Sequence, residues 1–187
     1  VLMKLLDLYC KAGGASKGYA DAGFTVTGID IKKQKRYPYE FIQADCLEIL
    51  KDIDYLRTFD VIAASPPCQT HSRTQHLRNA QGKSTDKVDL IPQTREALIK
   101  SGKPYVIENV PGAPLINPIQ FCGSSFGLKV RRHRLFESNL EITGSVCKHK
   151  EQGKPVGIYG SMRDEIPGGG HTAKSVSYTH LTLPTKR

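Results

Sequence analysis

The chain has 187 residues, 39% of them apolar, and a net charge of +9 from 27 basic and 18 acidic residues. That length suits one domain with one core, no apolar run approaches the roughly 20 residues that span a bilayer, and the opening "VLMKLLDLYCKAGG" has no basic leader, so a monomeric cytoplasmic protein is expected. The bases bunch in "KKQKR" (32–36) and "KVRRHR" (129–134), a pattern that fits a polyanionic partner as well as a solvated surface.

In chain order, "LMKLLDLY" reads as a first strand, the glycine turn in "CKAGGASKGYADAGF" opens a helix, and "TVTGID" is a second strand ending in Asp30. "YEFIQAD" follows as a short third strand ending in Asp45, "CLEILKDI" as a helix, and "FDVIAAS" as a fourth strand. "LIPQTREALIKS" is the next helix and "PYVIENV" the fifth strand. Alternating strands and helices predict an α/β fold, a doubly wound and mostly parallel sheet covered on both faces. After Val110 the pattern weakens: "PGAPLINPIQFCGSSFG" is rich in proline and glycine, "RRHRLFES" reads as a further strand, and "PVGIYGSMRDEIPGGGHT" as turns. Between Gln69 and Asp89 lies a polar, basic stretch without periodicity, expected to be a mobile loop.

Ligands of such sheets bind at the carboxyl ends of the strands, where the sequence sets Asp7, the glycine turn, Asp30, Asp45, Cys68 and Glu108. The turn "YCKAGGAS" suits the polar tail of a nucleotide-like cofactor, because glycine lets the backbone approach and a helix amino end offers free N–H groups. Asp30 stands where a ribose diol would sit, and Asp45 could accept from an exocyclic amine or simply cap a helix. Neither GxGxxG nor GxxxxGK[ST] occurs, which leaves an adenosine cofactor of another kind.

In "SPPCQT" two prolines fix φ and remove two backbone donors, so Cys68 is held on a stiff turn, as suits a nucleophilic thiol. Glu108 in "YVIENV" ends an apolar strand, from which a carboxyl can hydrogen-bond a ring nitrogen or pair with a neighbouring arginine. The five cysteines, Cys10, Cys46, Cys68, Cys122 and Cys147, are an odd number with no CxxC pair, so reduced thiols are expected. Cys147 with His149 is the nearest approach to a metal cluster, and without a second pair no metal is expected.

"DLYCKAGGASKGYADAGF", "SPPCQTHS", "IENV" and "RRHRLF" stand in the order and spacing of the 5-methylcytosine DNA methyltransferases, which the chain resembles from about Leu5 to Phe136. The resemblance implies the Rossmann-like fold of methyltransferases dependent on S-adenosylmethionine. It implies that Asp7, Tyr9, Gly13, Gly14, Asp30, Ile31, Asp45, Cys46 and Pro67 line the cofactor, with Asp30 at the ribose and Asp45 at the adenine. Cys68 would attack carbon 6 of a cytosine swung out of double-stranded DNA, Glu108 would hold ring nitrogen 3 and the amine, and Arg134 the base carbonyl, with Arg132 alongside. A tRNA cytosine methyltransferase, or a binding protein keeping the scaffold, would share much of this pattern. Lys11 stands where that family often has glycine, and Val130 where its arginine motif often begins with glutamine.

A catalytic domain is expected over 1–138 and a short remnant of a target-recognition region over 139–175. "VSYTHLTLPT" (176–185) resembles a translated transposon-end adapter, so 176–187 is expected to be non-native read-through and the enzyme a carboxyl-terminal truncation, of bacterial or phage origin. The recognition sequence and any restriction partner are not legible.

Overall fold

A computed structural model describes residues 2–67 and 88–155. Cys68, most of the stretch expected to form a mobile loop, and the adapter-like tail lie outside the described residues.

The elements run β1 (Lys4–Leu8), α1 (Gly14–Asp21), β2 (Thr25–Asp30), β3 (Glu40–Gln43), α2 (Cys46–Lys51), α3 (Ile53–Arg57) and β4 (Val61–Ala64). After the undescribed stretch come α4 (Ile91–Ser101), β5 (Tyr105–Asn109), β6 (Ile119–Cys122), a 3₁₀ turn (Gly123–Phe126) and β7 (His133–Ser138). Among the described residues seven strands form one sheet in the order β3-β2-β1-β4-β5-β7-β6. The first five pair in parallel, β7 runs antiparallel to β5, and β6 runs antiparallel to β7.

Period-two alternation sorts the strand residues onto two covered faces. Leu6, Leu8, Ile29, Ile62 and Ile107 pack with Leu50, Leu56, Ala97 and Leu98 from α2, α3 and α4. Leu5, Val26, Ala63 and Val106 bury on the opposite face with Tyr19 and Ala20 of α1, joined by Phe136 and Ile142. This is the doubly wound sheet that the alternation of elements predicts.

Two details differ from the sequence reading. "CLEILKDI" is not one helix but two, because Asp52 breaks α2 and caps α3 by accepting from the Tyr55 N–H at 2.9 Å. The proline- and glycine-rich stretch after Val110 contains β6, a four-residue edge strand. At its end Gly123 has no room for a side chain: a Cβ there would lie 2.3 Å from the Val130 carbonyl oxygen.

Strand order reverses between β1 and β4, and the Ser65 N–H donates to the Leu8 carbonyl at 3.1 Å as the last link between them. Past that link the two chains diverge, β1 into the glycine turn and β4 into Pro66 and Pro67. A crevice at such a switch point is where open α/β sheets bind ligands.

Candidate active site

The turn after β1 is built from left-handed residues. Tyr9 (φ 61°), Lys11 (φ 48°) and Gly13 (φ 84°) all lie in that region, which only glycine enters freely. Lys11, at the position where glycine is frequent in the family it resembles, therefore keeps a glycine-like backbone at a conformational cost. What holds it there is Asp30: the Lys11 N–H donates to Oδ2 at 3.0 Å and the Lys32 N–H to Oδ1 at 2.9 Å. Among the described residues each carboxylate oxygen accepts this one bond, which leaves it a second acceptor position.

Tyr9 is fixed at both ends, its N–H on the Cys46 sulfur at 3.3 Å and its hydroxyl against Thr94 Oγ1 of α4 at 3.1 Å. Burial pushes the Cys46 thiol up to about 12, with the Tyr9 N–H opposing and neighbouring carboxylates adding, so this sulfur is a packed support beneath the turn. Asp45 caps α2 by accepting from the Leu47 N–H at 2.9 Å.

Asp7 lies under the same turn, buried, and accepts from the Ser16 hydroxyl of α1. Burial raises its carboxyl from 3.8 to about 7, the Ser16 hydrogen bond opposing and the charge on Glu108 adding. The Tyr37 hydroxyl donates in turn to Ser16 Oγ at 2.8 Å. Tyr37 is a member of the site that sequence reasoning missed, and two glycines make its place: a Cβ on Gly13 would lie 3.0 Å from its ring, and one on Gly28 would lie 2.1 Å from its hydroxyl.

Across the crevice Pro66 is buried and Pro67 exposed. Asn109 of β5 is buried, and its Nδ2 donates to the Pro66 carbonyl at 3.1 Å while its Oδ1 accepts the Val110 N–H at 2.9 Å. The proline turn leading to Cys68 is thus tied to the strand that carries Glu108. Glu108 itself is half-buried and its Oε1 pairs with Arg134 Nε at 2.6 Å. Arg132 is exposed immediately before β7.

Glu137 and Arg95 brace this arrangement, and sequence reasoning missed both. Arg95 of α4 makes two bonds to the Glu137 carboxylate, at 2.6 and 2.7 Å, and a third to the Pro114 carbonyl at 2.7 Å. Glu137 Oε2 also accepts the Ile116 N–H at 2.7 Å, so one buried carboxylate joins helix, strand and connecting loop.

The fold brings Asp7, Tyr9, Gly13, Gly14, Asp30 and Ile31 to one side of the crevice, with Asp45 and Cys46 beside them, and Pro67, Glu108 and Arg134 to the other. The model of the C-5 cytosine-specific DNA methylase family matches residues 3–115. The chain belongs to this family. Its match includes the glycine turn, the proline turn and Glu108, while Arg132 and Arg134 lie beyond it.

Among solved structures, this methylase-family chain resembles a DNMT2 variant from Spodoptera frugiperda, with a TM-score of 0.52 and 19% identity over 88% of this chain and 61% of that one. It is similar to the methyltransferase EhMeth of Entamoeba histolytica, with a TM-score of 0.52 and 17% identity over 78% of this chain and 57% of that one. At such identities these likenesses establish the fold. The ribosomal RNA large subunit methyltransferase K/L of Colwellia psychrerythraea is 30% identical over an alignment of 120 residues that covers 56% of this chain and 16% of that protein. The chain thus spans less than two thirds of each of these relatives. No described helix is long and apolar enough to cross a membrane.

Outside the crevice, the premise that Cys147 and His149 lack a second pair is corrected. Antiparallel pairing sets Cys122 opposite His133, and the ligand atoms of Cys122, His133, Cys147 and His149 all lie within 4.8 Å of one another.

Proposed function

We propose that the chain carries the catalytic half of a DNA (cytosine-5-)-methyltransferase that uses S-adenosylmethionine and a covalent cysteine adduct. The observation that carries this reading is the Asn109 bond to the Pro66 carbonyl, which couples the turn entering Cys68 to the Glu108 strand. A nucleophile and a carboxyl that must grip the same flat ring need such a fixed spacing, because misplacement by an ångström is costly in rate.

The residues on the β1–β2 side fit a nucleoside cofactor. Gly13 opens α1 in a left-handed conformation with no side-chain cap, so the first-turn N–H groups have no capping side chain. Asp30 retains acceptor capacity for a ribose diol, and Ile31 beside it exposes 61% of its surface as an apolar face for a purine. Asp7, Ser16 and Tyr37 support the turn from beneath. When bound, S-adenosylmethionine supplies a methyl group made electrophilic by its sulfonium.

On the other side, Cys68 as thiolate adds to carbon 6 of the extruded cytosine, and the ring electrons shift toward carbon 5. Glu108 hydrogen-bonds ring nitrogen 3 and the amine, stabilising the charge as it develops, while Arg134 orients Glu108 and reaches the base carbonyl. After carbon 5 has accepted the methyl group, a base takes its proton and the Cys68 thiolate leaves. Arg132 and the basic residues after Gln69 contact phosphates, which position the duplex without reading its sequence.

An RNA substrate is the rival reading, favoured by the identity to a ribosomal RNA methyltransferase; a tRNA cytosine is one such target. The test is transfer of labelled methyl from S-adenosylmethionine to duplex DNA, tRNA and ribosomal RNA, with trapping on DNA containing 5-fluorocytosine. A denaturant-resistant adduct on DNA that Cys68→Ala abolishes is expected. Label entering RNA alone would replace the substrate, and an alanine variant that still methylates would remove Cys68 from the mechanism.

A further inference from the structure

Four metal-ligand side chains converge at the β7–β6 edge of the sheet, beyond β5 from the β1–β4 crevice. Cys122 Sγ lies 3.3 Å from His149 Nε2, and Cys147 Sγ lies 3.4 Å from His133 Nε2. All four ligand atoms fall within 4.8 Å of one another. A tetrahedron with zinc–sulfur bonds of about 2.3 Å and zinc–nitrogen bonds of about 2.0–2.1 Å has edges of roughly 3.3–3.8 Å, so small adjustments of the side chains suffice to close it.

Two of the ligands come from paired strands and two from irregular chain. Cys122 ends β6, His133 starts β7, and the two are partners in register. Cys147 and His149 sit in the segment after β7, where the described residues form neither helix nor strand. Apolar burial holds that segment only near its start, through Ile142: further along Val146 is 84% exposed, and Leu140 before it is 54% exposed. It is nonetheless fastened to residues 122–131 at every turn. Ser125 donates to the Val146 carbonyl at 3.0 Å, the Lys148 N–H to Ser124 Oγ at 3.1 Å, and Arg131 to the His149 carbonyl at 3.2 Å. Ser124 also donates to the Cys122 sulfur at 3.2 Å, the kind of outer bond that orients a thiolate ligand.

We propose that Cys122, His133, Cys147 and His149 form a tetrahedral structural zinc site that staples the segment after β7 to the β6–β7 edge. Four protein ligands leave no open position, so the metal's role is to hold structure and not to activate water. Its bearing on methyl transfer, which rests on the function proposed above, is indirect: His133 stands between Arg132 and Arg134, so the metal fixes the start of the strand whose arginine grips Glu108. The four ligands are positioning residues in that sense.

The full chain, produced with zinc in the medium and purified without chelator, is expected to carry about one zinc per molecule by elemental analysis. The stripped protein titrated with Co²⁺ should develop the visible bands of tetrahedral cobalt together with thiolate charge transfer. Cys147→Ser and His149→Ala, whose side chains lie at the half-buried rim, should lose both signals while keeping the far-ultraviolet dichroism of the parent. Cys68→Ser should keep them, which separates this site from the nucleophile. Absence of stoichiometric zinc and of the cobalt spectrum in folded parent protein overturns the proposal, as does recovery of Cys122 and Cys147 as a metal-free disulfide. Zinc bound at stoichiometry in a chain that methylates RNA alone would leave the metal site standing and overturn only the substrate of the proposed function.

Discussion

Arg134 Nε sits 2.6 Å from Glu108 Oε1, across the antiparallel seam between β7 and β5. Glu108 faces Phe136 in register, and Arg134, two residues earlier, shares that face as its diagonal neighbour. Glu108→Gln keeps the size of the side chain and its hydrogen-bonding capacity, but removes the charge and the acidic proton. Cofactor affinity should persist while turnover falls roughly 100-fold or more, measured as single-turnover methyl transfer. Turnover within about threefold of the parent would make Glu108 a structural residue. Arg134→Lys should also be impaired, because an ammonium cannot reproduce the guanidinium fork.

The buried Asp7 makes stability depend on pH in a direction opposite to that of most carboxylates. Its folded value of about 7 lies above the ordinary 3.8, so between those values the native chain holds a proton that the unfolded chain releases. The stabilisation is complete below about pH 4 and is lost as pH rises through about 7, at no more than roughly 1.4 kcal/mol for each pH unit. Asp7→Asn keeps the shape and cannot ionise, so its urea midpoint should vary less over that window than the parent's. Equal slopes in the two proteins would mean that Asp7 is ionised throughout.

Gly28→Ala should disturb the cofactor side from a distance. The new methyl would stand 2.1 Å from the Tyr37 hydroxyl and 2.8 Å from the Cys10 sulfur, so Tyr37 must withdraw and its bond to Ser16 must break. Overpacking of this kind costs about 1–3 kcal/mol. Calorimetry is expected to show a lowered unfolding temperature and weaker S-adenosylmethionine binding; Tyr37→Phe should reproduce the weaker binding with a smaller loss of stability.

Removing Glu137 tests the brace behind the site. Its side chain is 4% exposed and that of Arg95 14%, so Glu137→Ala leaves a largely buried guanidinium without its counter-charge. A loss of about 3–5 kcal/mol in chemical denaturation is expected, and replacing both partners by apolar residues should recover much of it. A loss below about 1 kcal/mol would show that the pair is well solvated.

Arg132, exposed and outside the Glu108 pair, should act as a phosphate contact. Arg132→Ala is expected to weaken all duplex sequences alike and to reduce the log–log salt slope by about 0.9. A loss confined to particular sequences would mean that it reads bases.

The strands with dense apolar runs were legible because alternation and bounding turns coincide there: "TVTGID" is β2 to the residue. β6 was not, since its four residues lie between Pro118 and Gly123 and owe their strand state to pairing with β7. Among candidate site residues, Asp30 and Glu108 were legible as acids at the ends of apolar strands. Tyr37 lay hidden beside the basic run 32–36, where charge suggested solvent and the tertiary cavity over Gly13 and Gly28 decided otherwise. The cysteine–histidine quartet was half visible as Cys147 and His149. Its other half depends on a strand register that no local spacing encodes.

The central place of β1 also has a consequence for how the chain reaches this state. β1 is made before both of its neighbours, and it pairs with β2 on one side and with β4, more than fifty residues further along, on the other. During synthesis its "LLDL" segment therefore emerges with one edge open and both faces bare, and only the return of β4 closes that edge. The crevice beside Asp7 is consequently a late event in folding. A nascent chain arrested before Ala64 should present the apolar strand to chaperones, while one extended past Ser101, with α4 in place to complete the cluster that holds Leu6 and Leu8, should be released.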